Sequence, residues 1–206
     1  ALTFSFLFSL SLLEFSMRLS ALSFAAVALL AGTAQVHAAD YAIDPTHTFA
    51  TFEIGHMGAS TNRGRFDKKE GTVQFDRAAK TGKVEVSVDV TSISTGTAAF
   101  NKHLQSADLF DAAKFPTAKF VSDKFSFNGD KVSEVTGTLT LLGKTQPVTF
   151  KSNGFNCYES PMLKREVCGG DFETTIDRTS FGMNYGVDWG FPKNVRIVVQ
   201  VEAVKQ

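Results

Sequence analysis

Three histidines and one carboxylate are the residues of this chain best suited to chemistry: His47, His56, His103 and Asp108. Near neutral pH an imidazole serves as a general base, a hydrogen-bond partner or a metal ligand. His56 and His103 are therefore candidate general bases, and Asp108 follows His103 closely along the chain. The same rings could instead hydrogen-bond a carbonyl or phosphate oxygen of a ligand, or have a structural role, and residue type alone leaves these alternatives open.

No catalytic motif accompanies these residues. The sequence contains no GxSxG turn, no HExxH, no phosphate-binding loop and no closely spaced Cys–His pair. In the extended segment around 49–56, His56 shares a face with Phe52 and Ile54, whereas His47 falls on the opposite face, which argues against a shared metal ion. The missing motifs argue against an enzyme, and we expect no metal site.

The N-terminal region has the layout of a secretory signal. Methionine and arginine at 17–18 precede an apolar run at 19–30, and Val-His-Ala at 36–38 supplies the −3 and −1 positions of a cut before Ala39. We expect 17–38 to be a signal peptide that is removed on export.

Residues 1–16 precede that methionine, and we expect them to be an upstream extension foreign to the native protein. An uncleaved membrane anchor is the alternative. Against it, Glu14 and Arg18 divide two apolar runs that are each shorter than the roughly 20 residues needed for a span. Cleavage leaves residues 39–206, the length of a single domain with a sizeable core.

Charge and composition exclude some partners and favour others. Lys plus Arg and Asp plus Glu both number 21, so there is no basic field to hold nucleic acid. Phenylalanine is abundant, with 20 residues against the single Trp189. So much aromatic surface requires a large interior or a ligand.

The two cysteines, Cys157 and Cys168, both fall in the exported part, where an even number indicates a disulfide. Their spacing is too wide for a CxxC redox or metal pair. We expect a structural disulfide, with the segment 157–168 as a surface loop around Pro161.

Alternation of apolar and polar residues predicts strands along most of the exported part. In 83–91, for example, four valines at every second position alternate with polar residues, as in a half-buried antiparallel strand. The predicted strands are 49–56, 64–76, 83–91, 118–127, 132–142, 148–155, 171–177 and 194–204. The glycine-rich stretch 181–191, which carries Trp189, is predicted as a loop.

One helical segment interrupts this pattern at about 95–114. Ser94 and Thr95 are candidate N-caps, and Pro116 ends the segment. The residues at helical spacing are Phe100, His103, Leu104, Ala107 and Phe110. About eight strands with one such segment predict an all-β, antiparallel barrel with the helical segment near a barrel end.

A series of motifs then resembles the YceI-like family. These motifs are HxxAxFxIxHxGxS at 47–60, GxF at 64–66, GxVxFD at 71–76, HLQSADLFD at 103–111, KFPTAKF at 114–120, GTLTLLGKTQPV at 137–148, TxIDRxxFG at 174–182 and VxVEA at 199–203. They occur in order and cover essentially all of 39–206.

The resemblance implies a lipocalin-like, eight-stranded barrel in the periplasm that encloses a long isoprenoid chain, such as a polyprenyl lipid or a quinone tail. It implies no cofactor apart from this bound lipid or quinone, and no catalytic residues. The chain departs from the family pattern in three places: Phe100 and Asn101 replace an Arg-Asp pair, Gln105 replaces an arginine, and Lys69 replaces an aromatic residue. His56 thereby becomes the first residue to test for head-group selectivity.

The interior of an eight-stranded barrel is either filled by side chains or holds one ligand, and the resemblance favours a ligand. The residues expected to bind it are Phe52, Ile54, His56, Phe75, Val86, Val88, His103, Phe110, Leu139, Leu141, Phe172, Ile176 and Val199. A structural role that fixes the helical segment to the barrel is the alternative for His103.

Two other functions stay open at this level. One is an enzyme acting on such a lipid or on another small envelope substrate, with His56 or His103 as base. The other is a stress-linked envelope protein that binds a partner through the cysteine loop at 157–168. A barrel of this type can also form a homodimer through an exposed face, although no sequence feature decides it.

Overall fold

Antiparallel strands make up most of the part of the chain that the structure, a computed structural model, describes, residues 38–206. The predicted extension at 1–16 and nearly all of the predicted signal peptide at 17–38 lie outside the described residues. Within 38–206, no helix is both long enough and apolar enough to cross a bilayer. The elements in chain order are β1 (Ala39–Ile43), β2 (Phe49–His56), β3 (Ser60–Phe66), β4 (Lys69–Asp76), β5 (Thr81–Asp89), a 3-10 turn (Val90–Ser92), β6 (Ile93–Ser94), α1 (Ala98–Leu104), β7 (Thr117–Asn128), β8 (Lys131–Leu141), β9 (Lys144–Glu159), β10 (Glu166–Asp177), two 3-10 turns (Arg178–Phe181 and Val187–Trp189) and β11 (Asn194–Lys205).

Eight strand paths close into an antiparallel barrel. Around the ring the order is β1, β4, β5, β7, β8, β9, β10 and β11, and β11 pairs with β1 to complete it. The other three strands extend strands of the same ring. β2 continues from β1 and pairs with β11, β3 pairs with β2 and continues into β4, and β6 continues from β5 and pairs with β3. The predicted eight-stranded antiparallel barrel is thus confirmed.

Breaks in three neighbouring paths explain why eleven strands form a ring of eight. Pro45 has no N–H to donate to a ladder and separates β1 from β2. Beside it, the Asp44 carboxylate accepts a 2.8 Å hydrogen bond from the Thr46 N–H. Between β5 and β6, the Asp89 carboxylate accepts in the same way from the Thr91 N–H at 2.8 Å. Such local bonds compete with ladder pairing and bend the chain.

The helix is shorter than the sequence pattern predicts. α1 has seven residues and begins after Thr97, not at the predicted caps Ser94 and Thr95. After α1 the chain forms a series of turns, in which the Ser106 N–H donates to the His103 carbonyl and the Leu109 N–H to the Ser106 carbonyl, both at 3.1 Å. Asp111 even adopts a left-handed φ of 43°. Phe110 therefore reaches the barrel from a turn.

The two cysteines lie in strands, so the predicted surface loop at 157–168 is wrong in extent. Cys157 in β9 and Cys168 in β10 are direct cross-strand partners and form the predicted disulfide. The strands persist because their pairing continues past the cysteines, with Val167 opposite Tyr158 and Glu166 opposite Glu159. Only 160–165 forms the turn.

Candidate ligand-binding cavity

The barrel encloses a cavity of about 500 Å³, within the range of roughly 300–1,000 Å³ that small-molecule sites occupy. Alternation along each strand forms it, because every second side chain points inward. On β11, for example, Val195, Ile197, Val199 and Val201 all line the cavity. The interior of this barrel is therefore not filled by its own side chains.

All of the residues that the sequence nominates for ligand contact line this one cavity. Strands from every side contribute them, while His103 comes from α1 and Phe110 from the turns after it. Contact with a ligand stays a prediction for each. The set is Phe52, Ile54, His56, Phe75, Val86, Val88, His103, Phe110, Leu139, Leu141, Phe172, Ile176 and Val199.

Sequence reasoning missed other lining residues, many of them aromatic. They share the alternation of the nominated residues, so the same signal could have found them. The main examples are Tyr41, Phe66, Val73, Phe120, Phe125, Phe150 and Phe155.

One end of the cavity is closed by aromatic rings. The ring of Phe75 lies 5.6 Å from that of Phe155, 6.1 Å from that of Phe127 and 6.5 Å from that of Tyr41. Outside them, the Tyr41 hydroxyl donates a 2.6 Å hydrogen bond to the Glu166 carboxylate. We call this the closed end.

The opposite end is open. The lining residues that are exposed to solvent are His56, Tyr185 and Trp189, and all three lie at this end. They belong to the end of β2 and to the glycine-rich segment 181–191, which the sequence predicts as a loop. We call this the open end, and a ligand entering the cavity would pass these residues.

Two of the candidate histidines stand at the open end, packed against aromatic rings. The His56 ring lies 5.3 Å from that of Phe191, and the His103 ring lies 5.2 Å from that of Tyr185. Within 38–206, no hydrogen bond joins either ring to Asp108, which is exposed. The packing of His103 fits its predicted role of joining the helical segment to the barrel.

His47 lies away from the cavity, as its place on the opposite face predicts. Its Nδ1 is 2.7 Å from the Asp44 carboxylate on the outer surface. This hydrogen bond raises the pKa of His47 above its ordinary value. The contact braces the bend between β1 and β2.

Arg178 is the functional residue that sequence reasoning left without a role. Its side chain is only 3% exposed and donates 2.9 Å hydrogen bonds to three backbone carbonyls, those of Pro192, Met183 and Tyr185. Burial lowers the pKa of this guanidinium, which nevertheless stays charged. Arg178 thereby holds the segment that carries Tyr185 and Trp189. It is the arginine of the TxIDRxxFG motif, which is the sequence feature that could have identified it.

The positions that depart from the family pattern have identifiable contacts. Asn101 Oδ1 accepts hydrogen bonds from the Thr95 N–H at 2.8 Å and hydroxyl at 2.7 Å. The Gln105 amide donates to the Thr91 carbonyl at 2.9 Å. Both therefore tie α1 and its C-terminal end to the residues on either side of β6.

Lys69 combines two environments. Its side chain lines the cavity, while its ammonium lies 4.8 Å from the Phe49 ring centre and donates to the Asp67 carbonyl at 3.3 Å. Burial lowers its pKa. The aliphatic stem thus contributes apolar surface, and the charge is directed to the gap between β2 and β4.

The side chains that line the cavity are mainly apolar. Among the described residues that line it, no side chain is a carboxylate, and Arg178 directs its donors at the backbone. A polar group placed deep inside would lose its water without gaining a partner, which is costly. The arrangement can bind a long apolar chain, with polar groups only at the open end.

Comparison with known proteins agrees over the whole barrel. The YceI-like domain model matches residues 41–203. A UPF0312 protein of Pseudomonas fluorescens SBW25 is 38% identical over 191 residues, which cover 91% of this chain and 97% of that protein. A UPF0312 protein of Shewanella denitrificans is 36% identical over 178 residues, covering 83% and 90%.

Solved structures share the architecture. BcnA of Burkholderia cenocepacia, at 25% identity, has a TM-score of 0.66 over 78% of this chain and 98% of its own. A polyisoprenoid binding domain from Saccharophagus degradans, at 14% identity, has a TM-score of 0.56 over 81% and 98%, a likeness of fold alone. With the family model matched across nearly the whole barrel, this chain belongs to the YceI-like family.

Proposed function

We propose that this protein is a non-enzymatic carrier that encloses the chain of a long isoprenoid lipid, a polyprenyl lipid or a quinone tail, inside the barrel. The single observation that carries the proposal is the apolar cavity of about 500 Å³ with one open end. The signal-like sequence at 17–38 supports a periplasmic location. The bound lipid is then the only non-protein component that the function requires.

The energetics favour the chain over the head group. Burying one CH₂ group contributes about 0.8 kcal/mol, so one five-carbon isoprene unit contributes about 4 kcal/mol before the entropic costs of binding. A single hydrogen bond contributes only about 1 kcal/mol net. A few buried units therefore outweigh any polar contact at the open end.

Family membership and one structural neighbour add support. The Saccharophagus degradans domain is described as polyisoprenoid-binding, and we extend that ligand class to this chain as part of the proposal. At the open end, His56 is placed to hydrogen-bond the carbonyl or phosphate oxygen of a head group. The packing of His56 and His103 against Phe191 and Tyr185 supports positioning roles for them, which we include in the proposal.

Organic extraction of the purified protein followed by mass spectrometry tests the proposal. The mature protein made in several hosts should yield an isoprenoid lipid. A cavity-filling variant, Val199→Trp, should yield much less, whereas Val198→Trp on the outer face of the same strand should yield as much as the wild type. Empty, folded protein from every host would refute the proposal.

The enzyme hypothesis has its own test. Should any assay with envelope lipids detect turnover, His56→Ala and His103→Ala would show whether either imidazole is the base. Full turnover in both variants would remove them from catalysis. Loss of turnover in either one, with lipid content unchanged, would contradict the non-enzymatic proposal.

A further inference from the structure

Three large apolar side chains stand exposed around the open end. Trp189 is 63% exposed, Met57 is 56% exposed and Tyr185 is 36% exposed. Trp189 and Tyr185 come from the segment 181–191, and Met57 follows His56 in the turn between β2 and β3. We call these three residues the rim.

The fold holds the rim in place against collapse into the cavity. Trp189 ends a 3-10 turn between Gly186 and Gly190, whose φ angles of 76° and 93° favour glycine. The Trp189 ring packs edge-on against that of Tyr185 at 5.2 Å. Arg178, almost fully buried, binds the Tyr185 carbonyl at 2.9 Å. A buried cation thus maintains an exposed aromatic surface.

Charged residues are sparse around the rim. The stretch 54–62 contains no Asp, Glu, Lys or Arg, and 181–192 contains only Asp188. On α1, the charged residue is Lys102. Such a surface suits neither a charged protein partner nor bulk water, whereas Trp and Tyr are the residues favoured at the boundary between lipid and water.

We propose that the rim docks on the surface of a lipid bilayer, with Trp189, Tyr185 and Met57 entering the interface. The purpose of docking rests on the proposed function, because an isoprenoid chain could then pass between bilayer and cavity without crossing water. The physical event does not require a ligand. It requires only that these side chains lose water at the interface.

A bilayer fits the rim better than a second copy of the chain. Side chains of this size, partly exposed, present on the order of 300 Å² per copy. Two copies joined through the rim would then bury about half of the roughly 1,200 Å² that a stable protein interface needs. A bilayer sets no such minimum and accepts the three side chains individually.

Trp189 is the only tryptophan in the chain, so its fluorescence reports directly on docking. The test uses the mature, delipidated protein and phosphatidylcholine vesicles without isoprenoid. Docking predicts a blue shift of the emission, and quenching when the lipids carry bromine on their chains. In a sedimentation assay, Trp189→Ala should reduce the partition coefficient about tenfold, and Met57→Asn should reduce it several-fold.

A matched control is available at the closed end. Met162 is 90% exposed, more than any rim residue, and lies in the turn between β9 and β10. If exposed apolar surface alone drove binding, Met162→Asn would weaken sedimentation at least as much as Met57→Asn. Docking through the rim predicts that Met162→Asn leaves it unchanged.

The outcomes distinguish docking on a bilayer from binding of an isoprenoid in the cavity. A blue shift with bromine quenching supports docking even if extraction finds no isoprenoid. Unchanged Trp189 emission at saturating lipid overturns docking even if extraction finds one. A blue shift that follows protein concentration without lipid, together with self-association in analytical ultracentrifugation that Trp189→Ala abolishes, would make the rim an interface between copies and would also overturn docking.

Discussion

Replacing Arg178 tests whether the segment 181–191 depends on one buried cation. Arg178→Met keeps most of the side-chain length but leaves the carbonyls of Pro192, Met183 and Tyr185 without their donor. Each hydrogen bond from a charged donor contributes about 1.5–3 kcal/mol. The variant no longer has to desolvate a guanidinium, which offsets part of the loss.

From these contributions we expect Arg178→Met to lower the free energy of unfolding by about 3–5 kcal/mol. Arg178→Lys keeps the charge but loses the planar fork that reaches three acceptors, so we expect a loss of about 2 kcal/mol. Urea denaturation followed by far-UV circular dichroism measures both. The fluorescence of Trp189 should change at lower urea than the circular dichroism, because the segment loosens before the barrel opens.

Arg165→Met is the matched control. Arg165 is exposed, and its guanidinium makes one 3.4 Å contact with the Lys205 carbonyl, so its loss should change stability by less than about 0.5 kcal/mol. Equal stabilities of Arg178→Met and Arg165→Met would refute the reasoning. Coincident fluorescence and circular dichroism transitions in Arg178→Lys would refute the local part of it.

Three further predictions concern the barrel. Burial and then the hydrogen bond to Glu166 raise the pKa of Tyr41 above its ordinary value of 10.0. The raised pKa stabilises the folded state fully below that ordinary value, and the stabilisation is lost as pH rises toward the raised pKa. Between about pH 8 and 11 the melting temperature should therefore fall less steeply in Tyr41→Phe than in the wild type. A Cβ on Gly137 would meet the Val121 carbonyl oxygen, so Gly137→Ala should cost about 1–3 kcal/mol in urea denaturation. Reducing the disulfide releases a closed loop of about 12 residues in the unfolded chain. On the chain-entropy estimate this should lower the free energy of unfolding by roughly 3 kcal/mol.

Each of these has a contradicting result. A parallel fall of melting temperature in Tyr41→Phe and the wild type would show that the Tyr41 hydroxyl does not titrate as described. Wild-type stability of Gly137→Ala would mean that β7 and β8 separate easily at this point. Unchanged stability on reduction would mean that the cross-strand pairing of β9 and β10 constrains the chain without the disulfide.

The barrel and the lining of its cavity were predictable because both follow from a period of two. Val195 to Val201 illustrate this, since each second residue on β11 faces the cavity. The segment 95–114 was less predictable, because helical spacing of apolar residues also occurs in a series of turns. There backbone hydrogen bonds between near neighbours, such as those from the Leu109 and Asp111 N–H groups to the Ser106 carbonyl, form turns that periodicity does not register.

The open end was the least predictable part. The three carbonyls that bind Arg178 belong to Pro192, Met183 and Tyr185, and their position depends on how a glycine-rich segment folds in three dimensions. Pattern reasoning found that segment and Trp189 within it. It had no means of finding that a buried guanidinium holds them at the mouth of the cavity.

The most direct test of the central claim is the dependence of affinity on chain length. Delipidated protein would be titrated by calorimetry with isoprenoid alcohols of increasing length, and with the corresponding phosphates. Binding inside the apolar cavity predicts that affinity rises with each added isoprene unit until the cavity is full, in both series and less so in Val199→Trp. Affinity that follows the head group and stays constant with chain length would contradict the account.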